Sequence, residues 1–152
     1  MKLHHYRTHT EWAGNTGEGT SGYTDYERSF TVSAYGKPDI AGSADPAFRG
    51  DPSRWNPEEF LLASLSACHK LWYLHLCAVN GVVVLSYEDT AEAVMDETAG
   101  RFVSAILKPS VTISAGSDEA KARALHHDAH KACFIANSVS FPVACESEII
   151  RV

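Results

Sequence analysis

The segment Asn56-Pro57-Glu58-Glu59-Phe60-Leu61-Leu62-Ala63-Ser64-Leu65-Ser66-Ala67-Cys68-His69 opens a long helix that runs on through Lys70-Leu71-Trp72-Tyr73. Asn56 is a good N-cap, Pro57 suits the first helical turn, and Glu58 and Glu59 complement the positive helix end. The apolar run predicts helix to about Val79, with a stop at Asn80-Gly81. At 1.5 Å per residue that is roughly 35 Å, the width of a small domain. Apolar residues cover most of the circumference, more than one protomer is expected to bury, so we expect a dimer with this helix at its centre. The stretch Phe60 to Val83 is long enough to cross a bilayer. However, it holds Ser64, Ser66, His69, Lys70 and His75. A central lysine alone costs roughly 2.5–3.5 kcal/mol on insertion, so the reading is a buried helix and no membrane partner.

Strand signals flank this helix. Tyr6 to Trp12 and Ser29 to Tyr35 are rich in aromatic and β-branched residues, with a glycine-rich turn, Gly14 to Gly19, between them. Gly36 to Arg54 is a long connection rich in Pro, Gly, Asp and Ser. Val82 to Tyr87 and Phe102 to Ser114 read as strands paired antiparallel about Glu97-Thr98-Ala99-Gly100. Ser117 is the expected cap of a second helix with a buried stripe at Ala122, Leu125, Ala129 and Ala132/Cys133. Phe141 to Val152 alternates as a last strand. With no internal repeat or composition break, the expectation is one α+β domain over residues 1–152.

Composition bounds the chemistry. The 152 residues are 45% apolar and 21% charged, an ordinary globular balance. Thirteen Lys plus Arg against nineteen Asp plus Glu give −6, so nucleic acid receives no electrostatic support. The first residues, Met1 to Tyr6, lack the apolar run of a signal peptide, which points to the cytoplasm. There, four cysteines are expected to be reactive, ligating or merely buried rather than bridged. Leu61, Leu65, Cys68, Trp72 and Leu76 share a helical face, and an unpaired cysteine in such a stripe is by default a small core hydrophobe. A reactive Cys68 needs its thiolate, and it lies too deep in the helix for the N-terminal dipole to help. A cation from elsewhere must supply the effect. Cys133 also follows an apolar stripe, while Cys77 and Cys145 read as packing residues. His126, His127, His130 and Cys133 fall at helical spacing that allows a His/Cys metal site, although no CxxC accompanies them. No GxSxG, HExxH or phosphate loop is present.

Two segments together are distinctive. Asn56-Pro57-Glu58-Glu59 through Ser66-Ala67-Cys68-His69 resembles the first helix of the OsmC/Ohr family of thiol peroxidases, and Ala129-His130-Lys131-Ala132-Cys133 resembles its second cysteine motif. The resemblance spans nearly the whole chain. It implies an OsmC-like fold, with antiparallel β-sheets wrapped around long central helices in an intertwined homodimer and active sites at the subunit interface. It implies Cys68 as the peroxidatic and Cys133 as the resolving cysteine, with Glu58 as an acidic partner and an arginine from ahead of the first helix. Arg28, Arg49 and Arg54 are candidates, and Arg49, in Phe48-Arg49-Gly50, fits best. Ten helical residues separate Glu58 from Cys68 by roughly 15 Å of rise, so Glu58 is expected to orient the arginine or to serve the partner's site. The implied activity is reduction of organic hydroperoxides through a Cys68 sulfenic acid and a Cys68–Cys133 disulfide. It needs no bound cofactor, only an external dithiol or thioredoxin-like reductant. Trp55, Trp72, Phe134 and Phe141 could line an apolar pocket. The alternatives are a non-catalytic dimeric stress or small-molecule binding protein, and the His/Cys metal binder.

Overall fold

The computed structural model describes all 152 residues. The chain packs as two compact units, Met1–Phe60 and Leu61–Val152. In the first, β1 (His9–Trp12), β2 (Phe30–Ser33) and β3 (Ile40–Gly42) form an antiparallel sheet in that order. Its register pairs Thr10 with Val32 and Thr31 with Ala41. Trp12 donates its indole N–H to the Glu27 carbonyl at 2.8 Å, closing the glycine-containing loop. The expected strands are therefore present, shorter than the sequence suggested. A 3-10 turn at Pro46–Phe48 interrupts the long connection. Gly50 follows because a Cβ there would lie 1.6 Å from the Ala44 carbonyl oxygen.

Helix α1 (Pro57–Val79) carries the chain from the first unit into the second. Asn56 and Glu59 cap its start reciprocally. The Glu59 N–H donates to Asn56 Oδ1 at 2.8 Å and the Asn56 N–H donates to Glu59 Oε2 at 3.1 Å, a capping box. Gly81, at φ 74°, ends it, and the Val82 N–H returns to the Cys77 carbonyl at 2.9 Å. No helix is long and apolar enough to cross a membrane.

The second unit is a bent hairpin against two helices. Its arms are β4 (Val84–Asp89) with β5 (Glu92–Asp96), and β6 (Arg101–Leu107) with β7 (Pro109–Ile113). β5 pairs with β6 and β4 with β7, both antiparallel, about the turn at Glu97–Gly100. The expected pairing is there, but each arm is broken into two strands, and β5 lies outside the strands the sequence predicts. The break has a tertiary cause: Asp89 accepts the Lys108 N–H at 2.7 Å and the Ser66 hydroxyl, drawing the arms out of the ladder beside Lys108. Helix α2 (Glu119–Ala132) follows, capped by Asp118, which accepts the Lys121 N–H at 3.0 Å. Ser117, the expected cap, instead accepts the Val83 N–H at 2.9 Å.

The tail also divides, into β8 (Val143–Cys145) and β9 (Glu148–Arg151). Both pair parallel, β8 on β6 and β9 on β7. The fold is α+β with one antiparallel and two mixed sheets. Tyr73, Cys77, Val111, Ile113, Ala122, Leu125 and Ala129 form the larger core cluster. Leu65, Ala105 and Leu107 form the smaller one, near the end of α1 that enters this unit.

Candidate active site

The buried stripe of α1 is Leu65, His69, Tyr73 and Cys77, one residue round from the face read from the sequence. Two polar residues occupy it because each finds a partner inside. The Tyr73 hydroxyl donates to the Ala122 carbonyl at 3.1 Å, and His69 Nε2 lies 3.0 Å from His126 Nδ1. Cys68 is thereby rotated to the edge of the buried stripe and is half-buried.

Cys133 ends α2 with an extended backbone and is 1% exposed. Its Sγ accepts the Ala136 N–H at 3.4 Å, and a 3-10 turn at Ala136–Ser138 folds back over it. Burial pushes its thiol up to about 11, the Ala136 N–H opposes that rise, and neighbouring Cys68 adds to it. Cys68 and Cys133 therefore lie within electrostatic reach of one another, both as free thiols. Beside them Trp72 and Phe134 meet edge to face at 5.4 Å, with Phe134 69% exposed. Of the other expected pocket aromatics, Phe141 packs on Phe102 and Trp55 stacks on Phe60.

In the first unit, the three candidate arginines differ sharply. Arg28 donates to the Tyr26 and Tyr23 carbonyls at 2.6 and 2.8 Å, and its guanidinium lies over both tyrosine rings. Arg54 pairs with Asp51 at 3.8 Å and donates to the Phe30 carbonyl at 3.4 Å. Arg49 is exposed, at φ 64°, and its guanidinium lies 5.9 Å from the Tyr23 ring with no ion pair. Glu58 also has no ion pair, and its Oε2 is buried without a hydrogen-bond partner.

The metal cluster read from the sequence does not form. His127 and Cys133 go elsewhere, and His126 instead turns inward to meet His69 and Cys145. Cys145 packs against the Leu65 cluster, as expected, and its Sγ also lies 3.7 Å from His69 Nε2 and 3.8 Å from His126 Nδ1. The sequence signal available was His69, four residues from both Leu65 and Tyr73 in an apolar helix. For Cys145 there was no signal beyond strand alternation.

An α+β fold presenting one cysteine in mid-helix and a second at the end of another helix defines a small thiol protein. The family model described as OsmC-like protein matches residues 50–148, and the chain belongs to that family. An OsmC-like protein of unknown function from Vibrio cholerae O1 biovar eltor is 30% identical and superposes with a TM-score of 0.85, covering 96% of this chain and 100% of that one. An organic hydroperoxide resistance protein of Legionella pneumophila is 20% identical, with a TM-score of 0.63 over 95% of this chain and 97% of its own. The organic hydroperoxide resistance protein OhrB of Bacillus subtilis is 19% identical, with a TM-score of 0.56 over 95% of this chain and 98% of its own. At these identities the last two speak to fold. No curated protein matches the chain.

Proposed function

We propose that this protein is a thiol-dependent peroxidase that reduces organic hydroperoxides to alcohols. The observation that carries the reading is the approach of Cys68 and Cys133, one half-buried at the edge of a core and the other enclosed. The Cys68 thiolate attacks the O–O bond, releases the alcohol after proton uptake, and becomes a sulfenic acid. The Cys133 thiol then condenses with it, forming the disulfide and releasing water. An external dithiol or thioredoxin-like protein returns both thiols by exchange. The pair formed by half-buried Trp72 and exposed Phe134 favours an organic over an inorganic peroxide.

Arg49 is the arginine assigned to hold the peroxide, because its guanidinium alone among the three candidates makes neither an ion pair nor a hydrogen bond. Glu58 is assigned to orient it, since a guanidinium would satisfy its unpartnered Oε2. The working form is a homodimer. The protein is assigned to a reducing compartment, where its four cysteines stay thiols until peroxide arrives.

One equivalent of an alkyl hydroperoxide, followed by thiol counting and peptide mapping, tests the reading. The expected result is rapid loss of two thiols with Cys68 linked to Cys133. Cys68→Ser should abolish the loss, and Cys133→Ser should let Cys68 proceed to sulfinic acid. Slow loss of thiols, or linkage through other cysteines, overturns it.

A further inference from the structure

We propose that His69, His126 and Cys145 form a binding site for a thiophilic divalent cation, Zn2+ in the first instance, separate from the Cys68–Cys133 pair. The three donor atoms come from α1, α2 and β8 and form a triangle with edges of 3.0, 3.7 and 3.8 Å. An ion with bonds of about 2.0–2.1 Å to nitrogen and 2.3 Å to sulfur sets its ligands about 3.3 Å apart between nitrogens and about 3.6 Å from nitrogen to sulfur. The observed edges match within a few tenths of an ångström, so little movement is needed.

A histidine–histidine hydrogen bond accounts for the shortest edge. It does not account for a sulfur sitting nearly equidistant from both inner nitrogens. The donor set is also held rigidly. The Tyr73 ring stacks on the His126 ring at a centroid distance of 3.8 Å, and the imidazoles lie parallel within 3°. Both histidines are almost wholly buried, at 1% and 4% exposure. Burial holds both imidazoles neutral, with their inner lone pairs suited to ligation, and pushes the Cys145 thiol up to about 11. A bound cation displaces that thiol proton outright. The negative charge of Asp89 acts on both His69 and Cys145 in the cation's favour, against the opposing charge of Arg123 on His126. A cavity of about 510 Å³, lined by His126, Cys145, His127, His130 and Arg123, provides a route in and room for a fourth ligand.

Co2+ titration of the reduced full-length protein is the test. We expect one Co2+ per chain, a thiolate-to-cobalt charge-transfer band, the strong visible absorption of tetrahedral cobalt, and displacement by Zn2+. Cys145→Ser should remove the charge-transfer band and His126→Gln should weaken binding at least tenfold, whereas Cys68→Ser and Cys133→Ser should retain both the band and the affinity. Absence of the band in the unmodified protein overturns the proposal, as does a band that survives Cys145→Ser or disappears in Cys68→Ser. Should either cluster variant fail to fold, alkylation of the unmodified protein decides. Zn2+ should slow modification of Cys145 at least tenfold while leaving Cys68 unchanged, and equal rates with and without Zn2+ refute the site.

Discussion

Cys133 is a thiol whose burial keeps its proton on. Its folded pKa, pushed up to about 11, means that its thiolate fraction rises about tenfold for each pH unit below that value. Alkylation of Cys133 followed by peptide mapping should therefore accelerate from neutral pH to about 11, and a plateau near pH 8 would contradict the environment described. Glu58→Gln tests the acidic partner. Peroxide kcat/KM should fall at least tenfold, with Glu58→Asp recovering part of it. A change confined to melting temperature would reduce Glu58 to a helix-end charge, an effect of about 0.3–1 kcal/mol. The three arginines could not be ranked by environment from sequence. What separates Arg49 from Arg28 is that Arg28 already donates to two carbonyls, contacts that the loop from Gly14 to Glu27 creates.

At the scale of elements, α1 was the most legible part of the chain because its signals are local. Asn56, Pro57 and Gly81 act within a turn of their own positions. Asn56→Ala should cost about 0.5–2 kcal/mol in urea unfolding, because it leaves the Glu59 N–H without its acceptor. Gly50→Ala should also destabilise, since the added methyl meets the Ala44 backbone. The hairpin turn at Glu97–Gly100 was equally readable, with Gly100 at φ 65° and Asp96 accepting the Thr98 and Ala99 N–H groups. Strand breaks were not. The division of residues 101–113 depends on Asp89, nineteen positions before Lys108, offering its carboxylate to that N–H. The division of the tail depends on which parallel neighbour each half meets.

For the whole molecule, the apolar surface left by one chain bears on the proposed homodimer. Leu71 and Val79 on α1 are 63% and 64% exposed, with Val83 and Leu85 at 53% and 58%. Such large apolar side chains are expected at an interface. Light scattering on the eluting protein should give twice the chain mass, and Leu71→Glu should shift it toward the monomer and lower peroxide turnover together. A monomer at micromolar concentration would remove the shared active site from the proposal.

Local chemistry alone specified the class of fold, the extent of the central helix and the hairpin turn. Capping, helical period and turn conformation depend on residues within a few positions of each other, so they are written along the chain. The meeting of Cys68 with Cys133, the turn of His126 toward His69 and Cys145, and the separation of one uncommitted arginine from two engaged ones arise from packing among distant segments. His69 and Cys145 are seventy-six positions apart and come within 3.7 Å because α1 and β8 pack in the same unit, a proximity no local pattern encodes.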